Sequence, residues 1–112
     1  MNIQIYLGRK NFDSQKAERY FKERKIKYQA IDLLRYGMSK GEFLSVRQAV
    51  GLQALINDQS KAYTQYNLAY LGLGHLAEEA LLAHPELFCT PIVRNGNQAT
   101  VGYQPEIWAT WT

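Results

Sequence analysis

Three consecutive patterns near the N-terminus restrict this chain more than anything that follows. Residues 2–7 alternate by face, with Ile3 and Ile5 on one side and Gln4 and Tyr6 on the other, and Gly8 ends the run. That period of two predicts a strand. Ala17, Tyr20 and Phe21 then recur at helical spacing, with Asn11 or Asp13 available to accept the first free N–H groups, so a helix is expected over residues 13–24. Residues 27–33 return to a strand pattern in which Tyr28, Ala30 and Ile31 supply the apolar side chains. Strand, helix and strand in so short a span make a βαβ unit, in which the strands pair in parallel through a right-handed crossover.

The remainder reads as helices followed by a hairpin. Gly37-Met38 breaks the pattern, and Ser39-Lys40-Gly41-Glu42 has the form of a capping box, in which serine and glutamate satisfy each other's backbone donors. A helix over residues 39–50 follows, with Phe43, Val46 and Val50 inward and Gly51 where a left-handed cap belongs. Residues 52–56 suggest one helical turn. Residues 57–61 form a polar loop leading to Tyr63 and Tyr66, which are expected to pack as apolar bodies with wet hydroxyls. Another helix is expected over residues 73–83, with Leu76, Ala80 and Ala83 inward, stopped by His84-Pro85. Strands over 88–93 and 98–102 flank Asn95-Gly96, a two-residue hairpin signal. Pro105 opens a last helix through Trp108 and Trp111. A parallel pair, a helical insertion and an antiparallel hairpin make an α/β fold of thioredoxin-like architecture, with about four strands in a mixed sheet.

Composition narrows the chemistry. A chain of 112 residues, 46% hydrophobic and 21% charged, suits one domain spanning residues 1–112, with a core of its own. No basic leader precedes a long apolar run and no stretch reaches the ~18 residues a bilayer needs, so the expected location is the cytoplasm, without membrane contact. A single cysteine, Cys89, excludes an internal disulfide and a cysteine-based zinc cluster. His75 and His84 lie without a carboxylate at ligand spacing and read as helical and helix-ending residues, which leaves no basis for a metal. A net charge of +3 permits an anionic partner. Lys16, Arg19, Lys22, Arg24, Lys25 and Lys27 make the first helix and its exit basic, a solvated face in the ordinary case and a docking surface for an acidic protein or nucleic acid in the functional one. No DNA-reading motif accompanies it.

Several stretches together resemble the ArsC/Spx family of small arsenate reductases and their relatives. They run from Ile5-Tyr6 to Asp32-Leu33, from Leu55-Ile56 to Tyr63, and from His84-Pro85-Glu86-Leu87 through Pro91-Ile92-Val93 to Val101-Gly102-Tyr103 and Pro105. Asn11-Phe12-Asp13-Ser14-Gln15 occupies the turn where that family carries its cysteine. By this resemblance Phe12 stands at the nucleophile position and Gln15 at the second cysteine of the C-x-x-C form. Asn57, Thr90 and Gln104 stand where the reductases place three arginines, and Pro91 where a cis proline faces the active-site turn. An oxyanion reductase needs a thiolate to attack and guanidinium forks to hold the tetrahedral anion. None of these groups is present at the matching positions.

The resemblance therefore implies a redox-inactive, protein-binding or regulatory module, monomeric and without a cofactor, whose partner by analogy with Spx is the RNA polymerase α subunit. Docking is expected near Arg47 and Gly51 or on the basic helix around Lys16 and Arg19. The alternative is a reductase or glutathione-linked thiol oxidoreductase working through Cys89 or a partner's thiol. Cys89, in the apolar run Leu87-Phe88-Cys89, otherwise reads as a small buried hydrophobe. A third possibility is a pocket at Phe12, Gln15, Asn57, Thr90 and Gln104 for a small neutral or weakly polar ligand. Arg9 and Lys10 read as surface charges, and Ser14 as a helix-start residue with no base beside it.

Overall fold

The computed structural model describes residues 1–111. Its frame is a sheet of four strands, β1 (Ile3–Leu7), β2 (Tyr28–Asp32), β3 (Ile92–Asn95) and β4 (Gln98–Val101), in the order β2-β1-β3-β4. β1 pairs in parallel with β2, Ile3 opposite Tyr28 and Leu7 opposite Asp32, and antiparallel with β3, Ile3 opposite Asn95 and Tyr6 opposite Ile92. The crossover between β1 and β2 is α1 (Phe12–Glu23), so the βαβ unit and the mixed sheet expected from the sequence are both present.

Each side of the sheet has its own core, because alternate residues of β1 and β3 point to opposite faces. Ile3, Ile5 and Val93 pack against Ala17, Tyr20 and Phe21 of α1, and against Trp108 and Trp111 at the end of the chain. Trp108 belongs to α8 (Pro105–Trp108), and its indole Nε1 donates to the buried Thr100 hydroxyl at 2.8 Å. Tyr6 and Ile92 face the other way, into a larger cluster with Leu33, Phe43, Val46 and Leu81. That layer holds the helical insertion: α2 (Leu33–Tyr36), α3 (Lys40–Val50), α4 (Leu52–Leu55), α5 (Lys61–Gln65), α6 (Leu68–Leu71) and α7 (His75–Ala83). The capping box on α3 is formed as expected, with Ser39 and Glu42 exchanging bonds of 3.1 and 3.2 Å.

The differences from the sequence reading have local causes. α1 starts one residue early, at Phe12, because Asn11 is its cap. Ala30 is exposed, since β2 is an edge strand with one covered flank. α5 begins at Lys61, the last residue of what reads as a polar loop, and takes in Tyr63, because Ser60 is a helix cap, accepting from Tyr63 N at 3.2 Å. In α7 the inward residues are Ala77 and Leu81, with Ala80 partly covered, while Leu76 and Ala83 face out. Apolar residues surround that helix, so spacing alone does not fix its phase. β3 begins at Ile92 and not at residue 88, because Pro91 has no N–H to give a ladder; Phe88 makes only an isolated bridge with Ile56. The hairpin loop is Gly96-Asn97, one residue later than expected. Asn95 still pairs with Gln98, and Gly96 alone takes positive φ (+60°), as the first central residue of a II′ turn does.

Candidate functional site

Four segments converge at the start of α1. Asn11, in extended conformation, caps the helix by accepting from Ser14 N at 2.7 Å. The same side chain donates from Nδ2 to Thr90, 3.3 Å from its carbonyl and 3.2 Å from its hydroxyl. The Thr90-Pro91 peptide is cis, as the sequence reading expects. Pro91 O accepts from Gly102 N at 2.8 Å, which brings the end of β4 alongside. Gly8 completes the junction: a Cβ there would sit 3.3 Å from Thr90 Cγ2, so the loop after β1 has little room for a side chain. Asn11 therefore does in one side chain two jobs, closing the helix end and tying it to the proline loop.

Phe12, the next residue, projects into solvent with 79% of its surface exposed. The residue of this turn that meets Thr90 is thus Asn11. Asn57 and Gln104 use their polar groups elsewhere, and Gln15 faces out. Gln15 lines a shallow groove of about 300 Å³ on the outer face of α1 with Glu18, Arg19 and Lys22. Asn57 accepts from Gln59 N at 3.1 Å and, through its carbonyl, from the Ser60 hydroxyl at 2.7 Å, as a turn residue does ahead of α5. Gln104 donates back to Val101 O at 3.2 Å. Of the degenerate positions, the hydrogen bonds join only Thr90 to the α1 turn.

Cys89 is half-buried, with its N–H bonded to Leu55 O at 2.8 Å. Burial, and then the nearby Asp58 carboxylate, push its thiol above the ordinary range, the reverse of what a nucleophilic cysteine needs. Ser14 is buried and has no base: His75 pairs with Glu79 at 2.8 Å, and His84 stacks on Tyr66. Among the described residues no group of three or more His, Cys, Asp or Glu could hold a metal ion, and no helix is long and apolar enough to cross a membrane. Arg47 is engaged with Glu78 at 3.3 Å, and Gly51, at φ +86°, forms the junction of α3 and α4. Lys16 lies over the Tyr103 ring, 5.6 Å from its centroid, and Arg19 is exposed.

One polar cluster escapes the sequence reading. On the larger-core face, the buried Tyr6 hydroxyl donates to Glu42, and Arg94 Nη1 donates to Gln4 Oε1 at 3.0 Å. Burial, reinforced by the bond to Glu42, pushes the Tyr6 phenol up to about 12. Burial alone would raise Glu42, but the bonds from the Tyr6 hydroxyl and from the Ser39 side chain and backbone, with Arg94 nearby, outweigh it and hold the carboxyl below its ordinary value. A cleft of about 630 Å³ opens beside Gln4, Gln29, Met38 and Glu42. The available signal was that Gln4 and Tyr6 share a face of β1; Glu42 reads from sequence only as a cap partner.

The ArsC family model matches residues 6–111. Among solved structures, the arsenate reductase from Vibrio cholerae superposes with a TM-score of 0.82 at 29% identity, covering 96% of this chain and 94% of that one. An arsenate reductase (ArsC) related protein from Brucella melitensis gives 0.70 at 18% identity, covering 99% and 94%. A protein from Staphylococcus aureus gives 0.78 at 21%, covering 97% and 98%. No curated protein sequence matches this one.

Proposed function

The chain belongs to the ArsC family, and we propose that within it this protein is a redox-inactive binding or regulatory module that does not reduce arsenate. The observation that carries this reading is the α1 turn: an exposed phenylalanine stands where the reductases' nucleophile is expected, and the neighbouring asparagine cross-links that turn to Thr90. Arsenic(V) is reduced through a thiolate attacking the oxyanion, and a phenyl ring has no lone pair to offer. Asn57, Thr90 and Gln104 supply no cation to hold the anion. The state of Cys89 supports the same conclusion, because a thiol pushed upward by burial and a nearby carboxylate is mostly protonated at neutral pH. Glutathione has no role in this reading, nor does any other cofactor.

The binding surface we favour is α1, since Arg47 is already paired with Glu78 and Gly51 is required by the chain path between two helices. The RNA polymerase α subunit is the first partner to test, by affinity capture with the purified subunit. Catalysis is tested separately. Purified protein is incubated with arsenate and glutathione or a dithiol, and compared with Cys89→Ser. The expected result is no arsenite above the background of the thiol alone from either protein. Turnover that Cys89→Ser abolishes would establish the opposed reading, an oxidoreductase working through Cys89.

A further inference from the structure

We infer that the outer face of α1 is a docking surface for an acidic segment of another protein, with Phe12 as its apolar anchor and Lys16 and Arg19 as its charge contacts. This rests on the non-catalytic reading and names the partner's chemistry. Charge is segregated along the chain. Residues 9–27 hold eight of the 13 Lys and Arg but three of the 10 Asp and Glu, a local +5 that leaves −2 for the remainder. The fold does not neutralise this excess. The ion pairs among the described residues, Arg47 with Glu78, His75 with Glu79 and His84 with Glu86, all lie outside that stretch. Glu18, the carboxylate nearest the middle of the helix, accepts from the Tyr28 hydroxyl at 2.7 Å.

Helical spacing turns the excess into a stripe. Phe12, Lys16, Arg19 and Lys22 follow at intervals of four, three and three, so they lie on one face of α1, and all four are exposed. The stripe runs about 15 Å along the axis, the reach of four or five extended residues. Between its charges lies the groove of about 300 Å³ at Gln15, Glu18, Arg19 and Lys22. An exposed phenylalanine at the head of a cationic row suits a partner that combines carboxylates with an apolar side chain. A nucleic-acid strand fits less well, because stacking successive bases needs successive aromatics and this stripe has one.

The probe is a fluorescein-labelled nonapeptide of Asp and Glu with a central Leu, titrated with the full chain and read by anisotropy at low and at physiological salt. Controls are the peptide with Leu replaced by Ser, the peptide with Asn and Gln in place of its acids, and an oligo-dT of similar length. Binding of the Leu peptide should weaken about tenfold or more in Lys16→Glu/Arg19→Glu, and with added salt. Phe12→Ser should weaken the Leu peptide severalfold while leaving the Ser peptide unchanged. The inference is overturned if the Leu peptide does not bind, if neither variant alters it, or if the oligonucleotide binds as tightly. It is also overturned if sedimentation shows a dimer that the charge reversal dissolves, which would give the face to a second copy of this chain. Such failures leave the non-catalytic reading standing, since that reading falls only to thiol-dependent turnover.

Discussion

Replacing Tyr6 with phenylalanine removes one oxygen from a fully buried ring and nothing else, so the consequences can be worked through. The lost hydroxyl donates to Glu42, a charged acceptor, and such a bond contributes about 1.5–3 kcal/mol. The Glu42 carboxylate keeps its bond from Ser39 N, so a cost near the lower half, about 2 kcal/mol, is expected near neutral pH. In urea this lowers the unfolding midpoint by roughly 1 M. The pH dependence separates this cause from simple repacking. The phenol is raised from 10.0 to about 12 in the fold. A group raised in this way contributes stability that is fully present below its unfolded value and is lost as pH rises toward the folded one. At about pH 11 the wild type should have lost somewhat more than about 1 kcal/mol from this group, a loss Tyr6→Phe cannot show. The gap between the two proteins should therefore shrink from about 2 kcal/mol near pH 8 to below about 1 kcal/mol near pH 11. Tyr28, also raised to about 12 by burial and then by its bond to Glu18, is common to both and cancels. A gap that is constant with pH, or absent near neutrality, would refute the reasoning.

At the acid end the sign reverses. Glu42 is held below its ordinary value of 4.5, so its contribution is present above that value and is lost as pH falls through the depressed one; melts between about pH 6 and pH 2 should show a limb that Glu42→Gln flattens. Trp108→Phe leaves the buried Thr100 hydroxyl without its partner, which should cost about 1–3 kcal/mol and lower Tm by about 5 °C or more in calorimetry. Cys89 should react slowly with an aromatic disulfide reagent in the native state and quickly in strong urea; fast native modification near pH 7 would contradict a thiol protected by burial.

The frame was legible where a local signal has one physical meaning. Alternation in residues 3–7 and the Ser39 and Glu42 box each specify a backbone state almost alone, and each is found as expected; the cis Thr90-Pro91 bond is also found, but it was expected from the family resemblance and not from the pair itself. The phase of α7 was not, because Leu76, Ala77, Ala80, Leu81, Leu82 and Ala83 surround the helix and burial is decided by what packs against it. At the site, the sequence showed which groups are missing and not what replaced them. That Asn11 would bridge to Thr90 depends on a contact between residues 79 apart in the chain, for which no spacing rule exists. The same holds for Tyr6 and Glu42, 36 residues apart.

The central position of β1 has a consequence for the order in which this protein can be completed. Its fifth to ninth tens of residues build helices, yet the strand's second neighbour, β3, begins only at Ile92, and Ile3 finds Asn95 across almost the whole chain. During synthesis the first strand can acquire β2 early, but its other edge stays open until the hairpin leaves the ribosome. Trp108 and Trp111, which cover Ile3 and Ile5, arrive later still. A chain stopped short of β3 is left with an unpaired edge and one uncovered face, the two surfaces from which aggregation starts. Closure of the sheet therefore waits on the segment from Ile92 to Trp111, and β1 is most exposed just before that segment emerges.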